Sequence, residues 1–131
     1  VLDDDARCPC GTGETYGACC GRFHAGRPAP TAELLMRSRF SAFAAGDAAH
    51  LLATWHPGTR PAALELDPGR RWYRLDVHGT AAGGPFDDEG WVDFTGHWRG
   101  APGTGQRGAQ RESSRFVRED GRWYYVDGVP G

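Results

Sequence analysis

Apolar residues recur at helical spacing over residues 32–45, where Met36, Phe40 and Phe43 fall on one face with Leu35 and Ala42 beside them. Thr31 precedes this run as an N-cap, Glu33 sits favourably in the first turn, and Gly46 suits the left-handed position that ends a helix. Asp47 is placed to cap a second, shorter helix through about residue 54, which carries His50 and Leu51 and is stopped by Pro57. From residue 72 the period changes to two. Tyr73, Leu75 and Val77 alternate with Arg74, Asp76 and His78, and Gly83-Gly84-Pro85 reads as a turn. Residues 91–98 form a second strand, with Val92, Phe94 and Trp98 assigned to the core face and Trp91, Asp93, Thr95 and His97 to the other. A third strand over 112–119 puts Glu112, Ser114, Phe116 and Arg118 on one face. Asp120-Gly121 is a hairpin turn into a fourth strand over 122–127. The Gly-rich residues 99–110 read as a flexible hairpin tip, because they lack the ending and the following helix of a phosphate-binding loop. Helices first and antiparallel strands after predict an α+β domain, with helices packed on a curved four-stranded antiparallel sheet.

At 131 residues, with 39% apolar and 11% aromatic side chains, the chain can bury one core. Its formal net charge of −2 gives no global basic field, which argues against nucleic acid as a partner. The local run Arg107, Arg111, Arg115, Arg118 and Arg122 is diluted by acidic neighbours. No apolar run is long enough to span a membrane. The opening Val1-Leu2-Asp3-Asp4-Asp5 is acidic where a signal peptide is basic, which leads to the expectation of a cytoplasmic protein. The chain does not begin with Met, so a preceding segment stays open. All 15 basic residues are Arg, which removes Schiff-base chemistry from consideration.

Cysteine usage changes the picture most. Cys8, Cys10, Cys19 and Cys20 lie within thirteen residues, and four thiolates there can surround one tetrahedral ion. Gly11 and Gly13 let the backbone reverse, Arg7 and Arg22 flank the cluster, and Tyr16 and Phe23 are placed to shield it. The expected cofactor is one structural Zn2+, since a closed four-sulfur shell leaves no position for substrate. Iron is accepted by the same shell. A pair of disulfides or a redox thiol pair are the weaker readings, because adjacent cysteines bridge awkwardly. His24 is a spare ligand or, more simply, an exposed histidine of a linker over 24–30, where Pro28, Pro30 and Gly26 break regular structure.

Residues 8–20, Cys-Pro-Cys-Gly-Thr-Gly-Glu-Thr-Tyr-Gly-Ala-Cys-Cys, resemble the SEC-C motif, the zinc knuckle at the C-terminus of the SecA translocase motor, with Thr12 where that motif usually has serine. Further stretches are similar to the YchJ family of small bacterial proteins: Leu35-Met-Arg-Ser-Arg-Phe-Ser-Ala-Phe43, Thr54-Trp-His-Pro57, Glu112-Ser-Ser-Arg-Phe-Val and Asp120-Gly-Arg-Trp-Tyr-Tyr-Val-Asp-Gly128. The resemblance covers nearly the whole chain. It implies a SEC-C knuckle over 1–24, with the four cysteines as zinc ligands, joined to a nuclear transport factor 2-like domain over 25–131, a cone of helices over a curved sheet. In SecA the similar knuckle serves contacts with partners, which implies a protein partner here through the knuckle.

A cone leaves a pocket, and Arg39, Trp55, His56, Phe94, Glu112 and Ser114 are the candidates to line it. Arg39 would fix a carboxylate or phosphate, and His56 would serve as an acid or base. The competing expectation is a buried Arg39–Glu112 pair capped by Ser114, with the pocket closed by Trp55 and Phe94. A weaker candidate is a dyad of Asp93 and His97. The function favoured is a protein-interaction or small-ligand-binding module with a structural zinc; the alternative is a small-molecule enzyme using the cone. Replacing Cys8 or Cys19 with Ser is expected to loosen residues 8–22 and leave the body folded.

Overall fold

The computed structural model describes residues 2–130. Three helices, α1 (Cys20–His24), α2 (Ala32–Ala45) and α3 (Ala48–Ala53), precede four strands, β1 (Arg71–Ala82), β2 (Glu89–Arg99), β3 (Arg107–Glu119) and β4 (Arg122–Pro130). The strands form one antiparallel meander in the order β1-β2-β3-β4, and α2 packs across β1, β2 and β4. The architecture is the α+β arrangement expected from the two periods.

The helix ends follow from local chemistry. Thr31 Oγ1 accepts from the Leu34 amide at 3.2 Å, and Asp47 Oδ1 from the His50 amide at 3.0 Å, so both caps are used. Gly46 ends α2 at φ 75°, a left-handed conformation that a side chain disfavours. Leu35, Met36, Phe40 and Ala42 are buried, while Phe43 is partly open.

Several features of the sheet depart from a plain alternation, among them register shifts at 77–79 in β1 and between β3 and β4 at Arg115 and Phe116. Between Trp72 and Arg74, β1 shifts register against β2, leaving Tyr73 as the extra residue of a bulge. Trp72 and Leu75 therefore both face α2, whereas Tyr73 turns outward onto the His97 ring, against the expected grouping of Tyr73 with Leu75 and Val77. In addition, β3 begins at Arg107, inside the stretch expected as loop. Gly108, Ala109 and Gln110 carry no apolar alternation, and their strand state comes from backbone pairing to Trp98, His97 and Gly96.

Residues 24–30 are not a detached linker. His24 ends α1 with a side chain only 6% exposed, and Ala29 is buried. Ring Nε2 of His24 donates to the Ser38 carbonyl at 2.8 Å, and Nδ1 lies 2.5 Å from Tyr16 Oη, so this histidine is neither exposed nor aimed at the cysteines. All four cysteines belong to the same buried cluster as Leu35, Met36, Phe40, Leu75, Val92, Phe116 and Trp123. Knuckle and sheet share one core, contrary to the expectation that the knuckle loosens alone.

Candidate metal centre and cone pocket

The segment before α1 folds back on itself through a bridge between Arg7 and Thr15 and a hydrogen bond donated by the Cys8 amide to the Glu14 carbonyl. This reversal brings the Cys-Pro-Cys end against Cys19 and Cys20 at the start of α1. The four Sγ atoms lie within 4.8 Å of one another, and all four residues are buried. Cys10 and Cys19 sulfurs are 3.6 Å apart, and those of Cys19 and Cys20 4.0 Å. A tetrahedral ion with sulfurs at roughly 2.3 Å needs edges of about 3.8 Å, so the donor set fits a metal ion. The thiols are free, and these separations far exceed a disulfide bond, which sets the disulfide reading aside.

Neighbouring groups hold the sulfurs in place. Thr12 Oγ1 lies 3.2 Å from Cys19 Sγ and 3.7 Å from Cys10 Sγ, so threonine supplies the hydroxyl that serine usually brings to this motif. Ser41 Oγ on α2 lies 3.5 Å from Cys8 Sγ. Arg22 Nε donates to the Cys19 carbonyl and Arg37 Nη1 to the Cys10 carbonyl. Hydrogen bonds from Cys10 and Cys20 favour the Cys8 thiolate, while hydrogen bonding to Cys10 and Cys8, together with burial, pushes the Cys20 thiol up.

The second feature is an open cavity of about 320 Å³ between the sheet, α2 and the segment 64–70. Five of the six expected residues line it: Arg39, Trp55, Phe94, Glu112 and Ser114. His56 does not. After α3 the chain pairs with β4, with the Tyr125 amide donating to the Thr54 carbonyl and the His56 amide to the Tyr125 carbonyl. Extended backbone sends successive side chains to opposite sides, so Trp55 enters the cone and His56 leaves it. His56 Nε2 lies 3.0 Å from Glu119 Oε2, and its ring stacks edge-on to Tyr124.

Arg39 is 5% exposed. Its Nη1 donates to the Leu51 carbonyl and to Thr54 Oγ1, both at 2.8 Å, so the guanidinium caps the C-terminal end of α3. It lies over the rings of Tyr125 at 4.5 Å and Trp55 at 5.2 Å. Burial pushes its pKa down to about 10, which leaves it a cation at neutral pH. Glu112 accepts from Tyr125 Oη at 3.2 Å. The expected Arg39–Glu112 pair is not formed. Each is held by other groups, and among the described residues neither has an oppositely charged side chain within ion-pair distance. The pocket is open rather than closed by Trp55 and Phe94. Its remaining lining includes Trp72, Tyr125, Leu64, Leu66 and Arg70, which periodicity did not single out. Leu64 and Leu66 sit in a segment without regular structure, where two leucines flanking Glu65 were the one available signal.

Asp93 and His97 do not form a dyad: Arg111 holds Asp93 through two hydrogen bonds, and His97 contacts Asp76 at 2.8 Å. Arg115 and Arg118 are likewise paired with Glu89 and Asp88, so the arginine run is largely neutralised. No helix among the described residues is long and apolar enough to cross a membrane.

Comparisons agree with this geometry. Residues 31–128 match the YchJ middle NTF2-like domain, and residues 6–22 match the SEC-C motif. A UPF0225 protein of Streptomyces coelicolor is 55% identical over 122 residues, covering 92% of this chain and 93% of that one. A UPF0225 protein of Corynebacterium efficiens is 56% identical over 124 residues, covering 94% and 92%. The solution structure of a SEC-C motif containing protein from Rhodopseudomonas palustris superposes with a TM-score of 0.80 at 31% identity, covering 95% of this chain and 98% of that one. A crystal structure of a SEC-C motif containing protein from Psychrobacter arcticus is similar in fold, with a TM-score of 0.77 at 24% identity over 98% and 84% of the two chains. With the knuckle, the cone and both motifs in register, the chain belongs to the YchJ family of SEC-C and NTF2-like proteins.

Proposed function

We propose that this protein is a small-ligand receptor whose four-cysteine centre holds a single structural zinc. The observation that carries the reading is the unpaired state of Arg39 and Glu112 on one open cavity. Charges withdrawn from water are unfavourable unless compensated, and a cavity lined by two of them gains by admitting a complementary molecule. A volume of about 320 Å³ falls at the lower end of small-molecule sites, which run from roughly 300 to 1,000 Å³.

Binding is favoured over catalysis because the cone holds Arg39 and Tyr125 protonated, has its Glu112 carboxylate engaged by the Tyr125 hydroxyl, and has no histidine among its described lining residues. Arg39 near 10 and Tyr125, pushed up to about 12 by burial and Glu112, both keep their protons at neutral pH, so neither is a base. The one histidine expected there points away. The metal reading rests on burial of all four sulfurs, which leaves no face for substrate. The rim of the knuckle at 11–15 is exposed but carries only small or polar residues, so it offers less to a protein partner than the cone offers to a ligand.

Two measurements test this. Metal analysis on freshly purified protein is expected to return one zinc per chain with four free thiols after denaturation in chelator; iron or no metal would refute the zinc assignment. A ligand screen followed by tryptophan fluorescence is expected to find small molecules whose signal is lost when Trp55→Phe and Trp72→Phe are combined. Hits that bind this variant and the native chain alike would place the site elsewhere.

A further inference from the structure

Resting on the receptor reading, we infer that the cone takes a small zwitterion with a flat apolar body, of which an aromatic α-amino acid is the simplest example. The argument begins with Tyr125. The Arg39 guanidinium lies over its ring at 4.5 Å, and the Glu112 carboxylate takes a hydrogen bond from its hydroxyl at 3.2 Å. Tyr125 thus stands between the two charges: they form no ion pair with each other, and one small molecule in the cavity they share can reach both.

Each charge is held where it is. Arg39 is fixed through Nη1 to the end of α3, and its Nε and Nη2 donors have no protein partner among the described residues. Glu112 is fixed from two sides. Tyr125 donates to it, and its carboxylate lies over the bare α-carbon of Gly128, in space that any Cβ at that position would occupy. The sheet therefore keeps the two groups from collapsing onto each other.

That separation selects the ligand. A simple anion would satisfy Arg39 and bring its charge beside Glu112, whereas a simple cation would do the reverse. A molecule carrying both groups pairs each with its opposite, and the planar guanidinium suits a carboxylate in particular. The buried Ser114 hydroxyl lines the same wall and offers one more donor or acceptor. Phe40, Phe43, Trp72 and Phe94 supply apolar walls for the body of the ligand. At roughly 30 Å³ per water, the cavity holds about ten water-sized groups, which fits a molecule of amino-acid size. Elsewhere in the lining, Arg70 and Asp67 sit 3.8 Å apart and largely cancel, and the exposed Glu65 adds a negative charge that disfavours plain anions.

The test is calorimetric titration of the full metal-loaded chain with L-phenylalanine, 3-phenylpropanoate and 2-phenylethylamine, with the Trp55 and Trp72 indole N–H signals followed by NMR. Phenylalanine is expected to bind and to shift these signals, with each single-charge analogue at least tenfold weaker. Glu112→Gln is expected to weaken phenylalanine and the amine at least tenfold and to leave 3-phenylpropanoate no weaker. This variant decides the matter, because Arg39 also caps α3 and its replacement risks the fold. If either analogue binds as tightly as phenylalanine, or if Glu112→Gln weakens all three alike, the zwitterion inference is overturned and the receptor reading stands. If none of the three moves the indole signals but uncharged indole does, the zwitterion inference is again overturned while the receptor reading survives. If indole also fails, both fall.

Discussion

Arg37 Nη1 on α2 donates to the Cys10 carbonyl at 2.8 Å, while its Nε is held by Glu33 one turn earlier on the same helix. One side chain thereby ties the cysteine loop to the helix that covers the sheet. Arg37→Ala is expected to remove about 1–3 kcal/mol of stability, the range for leaving the carbonyl of a buried residue without its donor. It should also speed metal loss to a chelator. Equilibrium denaturation and a chelator-competition time course measure both, and unchanged metal release would show that the loop stands without this tie.

The shared core alters the expectation for the cysteines themselves. Cys8→Ser or Cys19→Ser should abolish metal binding and lower the melting temperature of the whole chain by more than about 10 °C in one transition, since structural metal contributes directly to folding. Calorimetry separates this from a knuckle that melts alone: two transitions, with the later one unshifted, would contradict the continuity of the core.

His50 makes stability fall in acid. Burial, with a contribution from His24, pushes its pKa down to about 4, against about 6.5 in the unfolded chain. Between those values the unfolded chain binds the extra proton, so stability is full above pH 6.5 and declines as pH drops toward 4, by up to roughly 3 kcal/mol. Its partner Ser38 Oγ, 3.0 Å away, already donates to the Leu35 carbonyl. Urea titrations across that window should show a slope that flattens in His50→Gln; an equal slope in the variant would assign the acid sensitivity to other groups.

The end of the β1–β2 hairpin requires glycine. Gly83 adopts φ 79° and its carbonyl accepts from the first amide of α2, at Ala32, while a Cβ on Gly90 would meet the Gly83 backbone. Gly90→Ala is expected to destabilise by about 1–3 kcal/mol, the usual range for overpacking a tight site. Thermal denaturation checks it, and a neutral effect would mean that the hairpin relaxes freely.

Local patterns in the sequence determined α2 and α3, their caps, the strand series and the cysteine set, while α1 lay unread inside the knuckle. These are short-range matters: Thr31 and Asp47 reach amides three residues on, and four thiols within thirteen residues converge through a single reversal. Tertiary structure decided which of the pocket residues meet. Arg39 and Glu112 share a cavity but not a bond, because Arg39 is drawn to the end of α3 and Glu112 to Tyr125, contacts that exist only once α3 and β4 are in place. His56 was lost from the site by a pairing between non-consecutive segments that no periodicity records. The bulge at Tyr73 likewise reversed one side chain through register against β2. Spacing along the chain sets which groups are available, whereas cross-strand register and long-range caps set where each charge is held.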